Sequence, residues 1–214
     1  MRILVFGDSI AQGFFDSRGG WVQRLAADIH ARTLGAMNTD ESFYAEVHNL
    51  GVSGDTASGV LARIVNETKA RRLYEMPDLI IIAVGINDSV LIHNKAQQDV
   101  YKFQETLEHL ADKAMALTNN VLFMGLSAVD EELTNPWKFS STGKQFRNHR
   151  INLFEDTIKQ VAINQEIDFV PIHDKFLQEL DNGYELLSDG LHPNDLGHEL
   201  IYQMISPKIE ELIR

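Results

Sequence analysis

The segment Asp78-Leu79-Ile80-Ile81-Ile82-Ala83-Val84 constrains the fold more than any other part of this chain. A strand with one face in water alternates apolar and polar residues. A run that stays apolar must be covered on both faces, as in a parallel sheet flanked by helices. Shorter apolar runs at residues 3–6, 121–126 and 168–172, and a weaker one at 45–49, predict four further strands.

Helical spacing fills the intervals. Trp21, Val22, Leu25, Ala26 and Ile29 recur on one face after the Gly19-Gly20 break. Val60, Leu61, Ile64 and Val65 predict a helix over 56–74, capped by Asp55 or Thr56. Val100, Phe103, Leu107, Leu110, Ala114 and Leu117 mark a third helix, and Ile151, Phe154, Ile158 and Val161 a fourth. Leu200, Ile201, Met204 and Ile205 mark a terminal helix that Pro207 should kink or divide. Strand–helix alternation implies right-handed βαβ units and a mostly parallel five-stranded sheet in an α/β fold. No linker, repeat or low-complexity stretch interrupts it, so residues 1–214 read as a single domain.

Composition removes several classes of function. The chain has no cysteine, which excludes disulfides, thiolate metal sites and a Cys nucleophile. Its net charge of −12 disfavours nucleic acid and anionic membrane surfaces as partners and suits a small-molecule substrate. The first apolar run is too short for a signal peptide, and no stretch approaches the ~18 apolar residues of a membrane span. The expectation is a cytoplasmic protein.

Ligands of open parallel sheets sit at the carboxyl ends of the strands. There the chain reads Gly7-Asp8-Ser9-Ile10, then Asn49-Leu50-Gly51-Val52-Ser53-Gly54-Asp55, then Gly85-Ile86-Asn87-Asp88, and further on Ser188-Asp189-Gly190-Leu191-His192-Pro193-Asn194. These segments supply what acyl transfer needs. A serine hydroxyl is a poor nucleophile until a base takes its proton, and His192 is a candidate base for Ser9. The imidazole must be held in one tautomer by a carboxylate. Asp189 lies three residues earlier, with Gly190 between them to permit a tight turn. The oxyanion needs fixed donors. The backbone N–H groups of Ser9 and Gly54 and the side-chain amide of Asn87 are the candidates.

With these residues in order, the chain resembles the SGNH/GDSL hydrolases from end to end. Gly7-Asp8-Ser9-Ile10 matches the first family block, with Ile in place of Leu. Gly54 matches the glycine block, Gly85-Ile86-Asn87-Asp88 the G-x-N-D block, and Asp189-Gly190-Leu191-His192 the D-x-x-H block. The resemblance implies a flavodoxin-like three-layer α/β/α sandwich and a GDSL-type esterase or lipase that needs no metal or other cofactor. It implies Ser9 as nucleophile and amide donor, Gly54 and Asn87 as the rest of the oxyanion hole, and His192 as base with Asp189 behind it.

Plainer readings stand beside each residue. Ser9 could cap the first helix, Asn87 and Asp88 could be turn or cap residues, and Gly54 could punctuate a turn. His192 and His198 with Asp189 and Asp195 form a His/Asp cluster, but the His spacing of six does not place two ligands on one helical face. His198 is expected to pack in, or cap, the terminal helix. His30, His48, His93, His109, His149 and His173 have no partners in the pattern. The G-x-S-x-G elbow and the phosphate-binding glycine motifs are absent. Residues 127–144 form a long polar connection that is either a binding loop or an Ω-loop pinned by its own aromatics. Trp137, Phe139 and the Asn135-Pro136 turn in it are candidates to line an acyl or alcohol pocket, and Phe14 and Phe15 after Ser9 are pocket candidates or core. Substrate-binding residues are otherwise unassigned. Small or short-acyl esters, thioesters and lysophospholipids all fit. A non-catalytic flavodoxin-like domain that binds a small ligand is the alternative.

Overall fold

The computed structural model describes residues 1–37, 39–40, 43–72 and 78–213. In chain order the elements are β1 (Arg2–Gly7), α1 (Ser9–Gln12), α2 (Gly20–Ala36), β2 (Glu46–Gly51), α3 (Ala57–Arg71), β3 (Asp78–Ala83), β4 (Leu91–Ile92) and β5 (Lys95–Ala96). They continue with α4 (Val100–Met115), β6 (Asn120–Met124), α5 (Glu131–Thr134), β7 (Lys144–Gln145), α6 (Asn148–Asn164), β8 (Asp168–Val170), α7 (His173–Asp181) and α8 (Asp195–Leu212). The end of the helix expected over 56–74 falls at residues 73–74, outside the described residues.

The five expected strands form one sheet in the order β2-β1-β3-β6-β8, and every pairing is parallel. All of β3 is buried, as its unbroken apolar run requires. The chain steps from β1 out to β2, then returns past β1 to β3 and continues outward. Right-handed crossovers therefore put α2 on one face and α3, α4 and α6 on the other. Accordingly α2 packs on α8, while α4 packs on both α3 and α6. This is the expected three-layer sandwich. The reversal of strand order falls between β1 and β3, whose carboxyl ends flank the natural ligand crevice.

The structure corrects two expectations. Of the kink or division expected at Pro207, division does not occur, since α8 runs unbroken from Asp195 to Leu212. Ile201, Ile205 and Ile209 form one buried stripe across the proline. Pro207 and Gln203, whose carbonyl loses its donor, both lie on the exposed side, where water can serve that carbonyl. The 127–144 connection is also more structured than a polar loop. It holds α5, and β7 at its end joins β4 and β5 in a small antiparallel sheet.

Candidate active site

Ser9 opens the single-turn helix α1 directly after β1. The cap of that helix is Asp8, not Ser9, because the Asp8 carboxylate accepts from the Ile10 N–H at 2.9 Å. The Ser9 hydroxyl is thus left to point elsewhere. Its Oγ lies 3.0 Å from Nε2 of His192, and Nδ1 of His192 lies 2.9 Å from Oδ2 of Asp189. The three side chains predicted to work together form one hydrogen-bonded line, and all three residues are buried.

A short turn creates the second half of this line. Gly190 sits at φ +87°, and an added Cβ would stand 2.5 Å from Cβ of Leu133. The turn allows Oδ1 of Asp189 to accept from the backbone N–H of Leu191 at 3.0 Å and of His192 at 2.8 Å. Its other oxygen also accepts from the indole Nε1–H of Trp137 at 3.3 Å. Burial alone would raise the Asp189 carboxyl, but the hydrogen bonds from the His192 ring and from the two amides outweigh it and hold the group below its ordinary value. Asp189 is therefore kept as a carboxylate facing the imidazole.

Gly54 and Asn87 line the same cleft as Ser9 and His192. Gly54 has φ +79°, which favours glycine, and an added Cβ would meet nothing within 4 Å. The need for glycine there is thus conformational, and no crowding by the protein requires it. The backbone N–H groups of Ser9 and Gly54 donate to no acceptor among the described residues. Asn87 uses one N–H of its amide on the Asp55 carbonyl at 3.0 Å, which leaves the second free to face the cleft. Its neighbour Asp88 accepts from the Ala57 N–H at 3.1 Å and so holds the start of α3, consistent with the cap reading. Thr56, not Asp55, is the N-cap of α3. Asp55 instead binds Arg63, whose Nε donates at 2.9 Å and whose Nη2 reaches the Gly7 carbonyl at 3.3 Å. The Gly54 loop is thereby tied to the ends of β1 and β3. Arg63 gave no sign of this role in the sequence, since it lies mid-helix among ordinary charged residues.

The cleft has a volume of about 280 Å³ and mostly apolar walls. Phe14 and Phe15 come from the turn after α1, and Trp137 and Phe139 from the segment after α5; these four candidates line it, whereas the Asn135-Pro136 turn does not. The rings of Phe14, Phe15 and Trp137 stand 5.7, 5.3 and 5.7 Å from the His192 ring.

The His/Asp cluster is dispersed. His198 is fully buried in α8, where its Nδ1 accepts from the Trp21 N–H at 3.3 Å and burial drives its pKa down to about 4. Asp195 accepts from the Ser17 backbone N–H at 2.8 Å and from its hydroxyl. Among the described residues no group of three or more His, Asp or Glu side chains is arranged to hold a metal ion, and no helix is long and apolar enough to cross a membrane.

Esterase TesA of Pseudomonas aeruginosa is 27% identical over 213 residues, which span 99% of this chain and 89% of that protein. The human isoamyl acetate-hydrolyzing esterase 1 homolog is 24% identical over 99% of this chain and 82% of its own length. Among solved structures, TesA superposes with a TM-score of 0.72 at 24% identity over 99% of both chains. The lipase/acylhydrolase from Enterococcus faecalis superposes with a TM-score of 0.74 at 23% identity, over 100% of this chain and 97% of that one. These two likenesses speak to the fold. The sequence itself matches the family model described as GDSL-like Lipase/Acylhydrolase across residues 5–200. With a match of that span, running from the strand before Ser9 past His192, the chain belongs to the GDSL-like lipase/acylhydrolase family, a family of carboxylic ester hydrolases.

Proposed function

We propose that this chain hydrolyses small or short-acyl carboxylic esters through an acyl-enzyme on Ser9. The observation that carries the reading is the line from Ser9 Oγ to His192 at 3.0 Å and on to Asp189 at 2.9 Å, set in an apolar cleft. His192 Nε2 takes the hydroxyl proton as Ser9 Oγ bonds to the ester carbonyl carbon. The carbonyl oxygen becomes an oxyanion, which the N–H groups of Ser9 and Gly54 and the Asn87 amide stabilise. Collapse of this intermediate breaks the bond to the alcohol oxygen, and the imidazolium returns its proton to that oxygen. Water then attacks the acyl-enzyme, again with His192 as base, and releases the acid and free Ser9. Asp189 holds the imidazole in the required tautomer and balances its charge while it is protonated.

A cleft of about 280 Å³ suits a small ester. The isoamyl acetate-hydrolyzing relatives are named for an ester of that size, which agrees with the reading. Ser9→Ala tests it. The variant is expected to keep the native circular-dichroism spectrum and melting temperature while losing turnover of p-nitrophenyl acetate. Retained turnover would remove Ser9 as the nucleophile.

A further inference from the structure

The turn after Ser9 carries two costs that ester hydrolysis alone does not explain. Phe14 and Phe15 are 42% and 51% exposed, although burying aromatic rings is a large part of what stabilises a fold. Phe15 also has φ +62°, a backbone conformation rare for a bulky side chain.

This turn is firmly held. The Phe14 N–H donates to the Ser9 carbonyl at 3.0 Å. Asp16 accepts from the Gly20 N–H at 3.0 Å and pairs with Arg24 at 2.7 Å, with side chains only 0% and 7% exposed. Arg24 in turn donates to the Asp195 carbonyl at 3.0 Å and binds Glu199 at 3.0 Å. Thus α2 and α8 together clamp the turn. The two rings meet edge to face at 5.0 Å, and both stand against the His192 ring. A rare backbone conformation kept in place by the buried Asp16–Arg24 ion pair beside a reactive group points to a role in that site.

We propose that the Phe14–Phe15 turn is the specificity wall for the alcohol half of the ester, and that this half is an apolar alkyl or aryl group rather than a sugar or glycerol. The inference rests on the assignment of Ser9 and His192. His192 Nε2 must hand its proton to the departing alcohol oxygen, so the alcohol lies along the imidazole that these rings flank. The carbonyl oxygen points away, toward Gly54 and Asn87. Neither phenyl ring can accept or donate a conventional hydrogen bond, so a hydroxylated alcohol would lose water there without replacement.

Phe15→Gly separates this role from simple packing. Glycine adopts φ +62° without strain, so a ring that serves only substrate can be removed with the melting temperature unchanged or raised. The ratio of kcat/KM for butyl acetate to that for 2-hydroxyethyl acetate is expected to fall roughly tenfold, the scale of one lost hydrophobic contact. Phe14→Ala is expected to move the ratio the same way. Lengthening the acyl group from acetate to butyrate, at a fixed ethyl alcohol, should change the effect of either substitution by less than about twofold. An unchanged alcohol ratio in both variants overturns the proposal, as does an effect that follows the acyl length instead. Ser9→Ala is measured alongside. If it still turns over ester, the nucleophile assignment fails and takes the proposal with it. If it is inactive, the alcohol ratio alone decides.

Discussion

Asp88→Asn should make the protein more stable at neutral and alkaline pH, by an amount that grows as pH rises to about 7 and is constant above it. Asp88 is 4% exposed, and burial, aided by the nearby carboxylates of Asp8 and Asp55, pushes its pKa from 3.8 up to about 7. Asp8, equally enclosed, is pushed up to about 6. Because the folded protein holds these protons more tightly than the unfolded chain, their contribution is fully present below pH ~4 and is lost as pH rises through the folded-state values. One group contributes about 1.4 kcal/mol per pH unit inside that window. From pH 5 to pH 7 Asp88 alone therefore removes up to about 3 kcal/mol. Asparagine cannot ionise, yet its carbonyl oxygen can still accept the Ala57 N–H that Asp88 now binds at 3.1 Å. Urea unfolding of both proteins at pH 5, 6, 7 and 8 should give midpoints that diverge from pH 5 to pH 7 and level off toward pH 8, the variant being the more stable. Parallel pH profiles would refute the argument, since they would mean that Asp88 ionises without cost in the folded protein.

Two further substitutions probe the site. Asn87→Ala should lower kcat for p-nitrophenyl acetate about 10²–10³-fold if the amide is an oxyanion donor. A loss below about tenfold would leave it only its bond to the Asp55 carbonyl. Trp137→Phe keeps an aromatic ring but removes one of four donors to Asp189. At 3.3 Å that bond is at the weak end of its class, so kcat should fall about fivefold, and an unchanged kcat would reduce Trp137 to a wall of the cleft.

Much of this arrangement was legible because it depends on periodicity and on strand ends. The unbroken apolar run before Val84 could only be a strand covered on both faces, and once the sheet was parallel its carboxyl ends collected the segments of Ser9, Gly54 and Asn87, while the Asp189–His192 turn follows α7 and is brought there by the packing of the helices. What periodicity cannot report was missed. Strands β4, β5 and β7 are two residues long, too short for any repeat to register. Ser9 and Asp8 are both good helix caps by type, and only the geometry assigns the cap to Asp8, which frees the Ser9 hydroxyl. The bond from Trp137 to Asp189 joins residues 52 positions apart across two loops, a separation that no local pattern encodes. The fate of Pro207 turned on which side of α8 faced water, a property of the packed helix and not of the proline.

The most direct test of the account is the reaction of the native protein with a fluorophosphonate, followed by intact-mass and peptide analysis. Ser9, with its hydroxyl 3.0 Å from the His192 imidazole, should gain a single stoichiometric adduct, and Asp189→Asn should slow its formation sharply. Folded protein that gains no adduct, or gains it on another serine, would contradict the account and would favour a cleft that binds a small ligand without reacting with it.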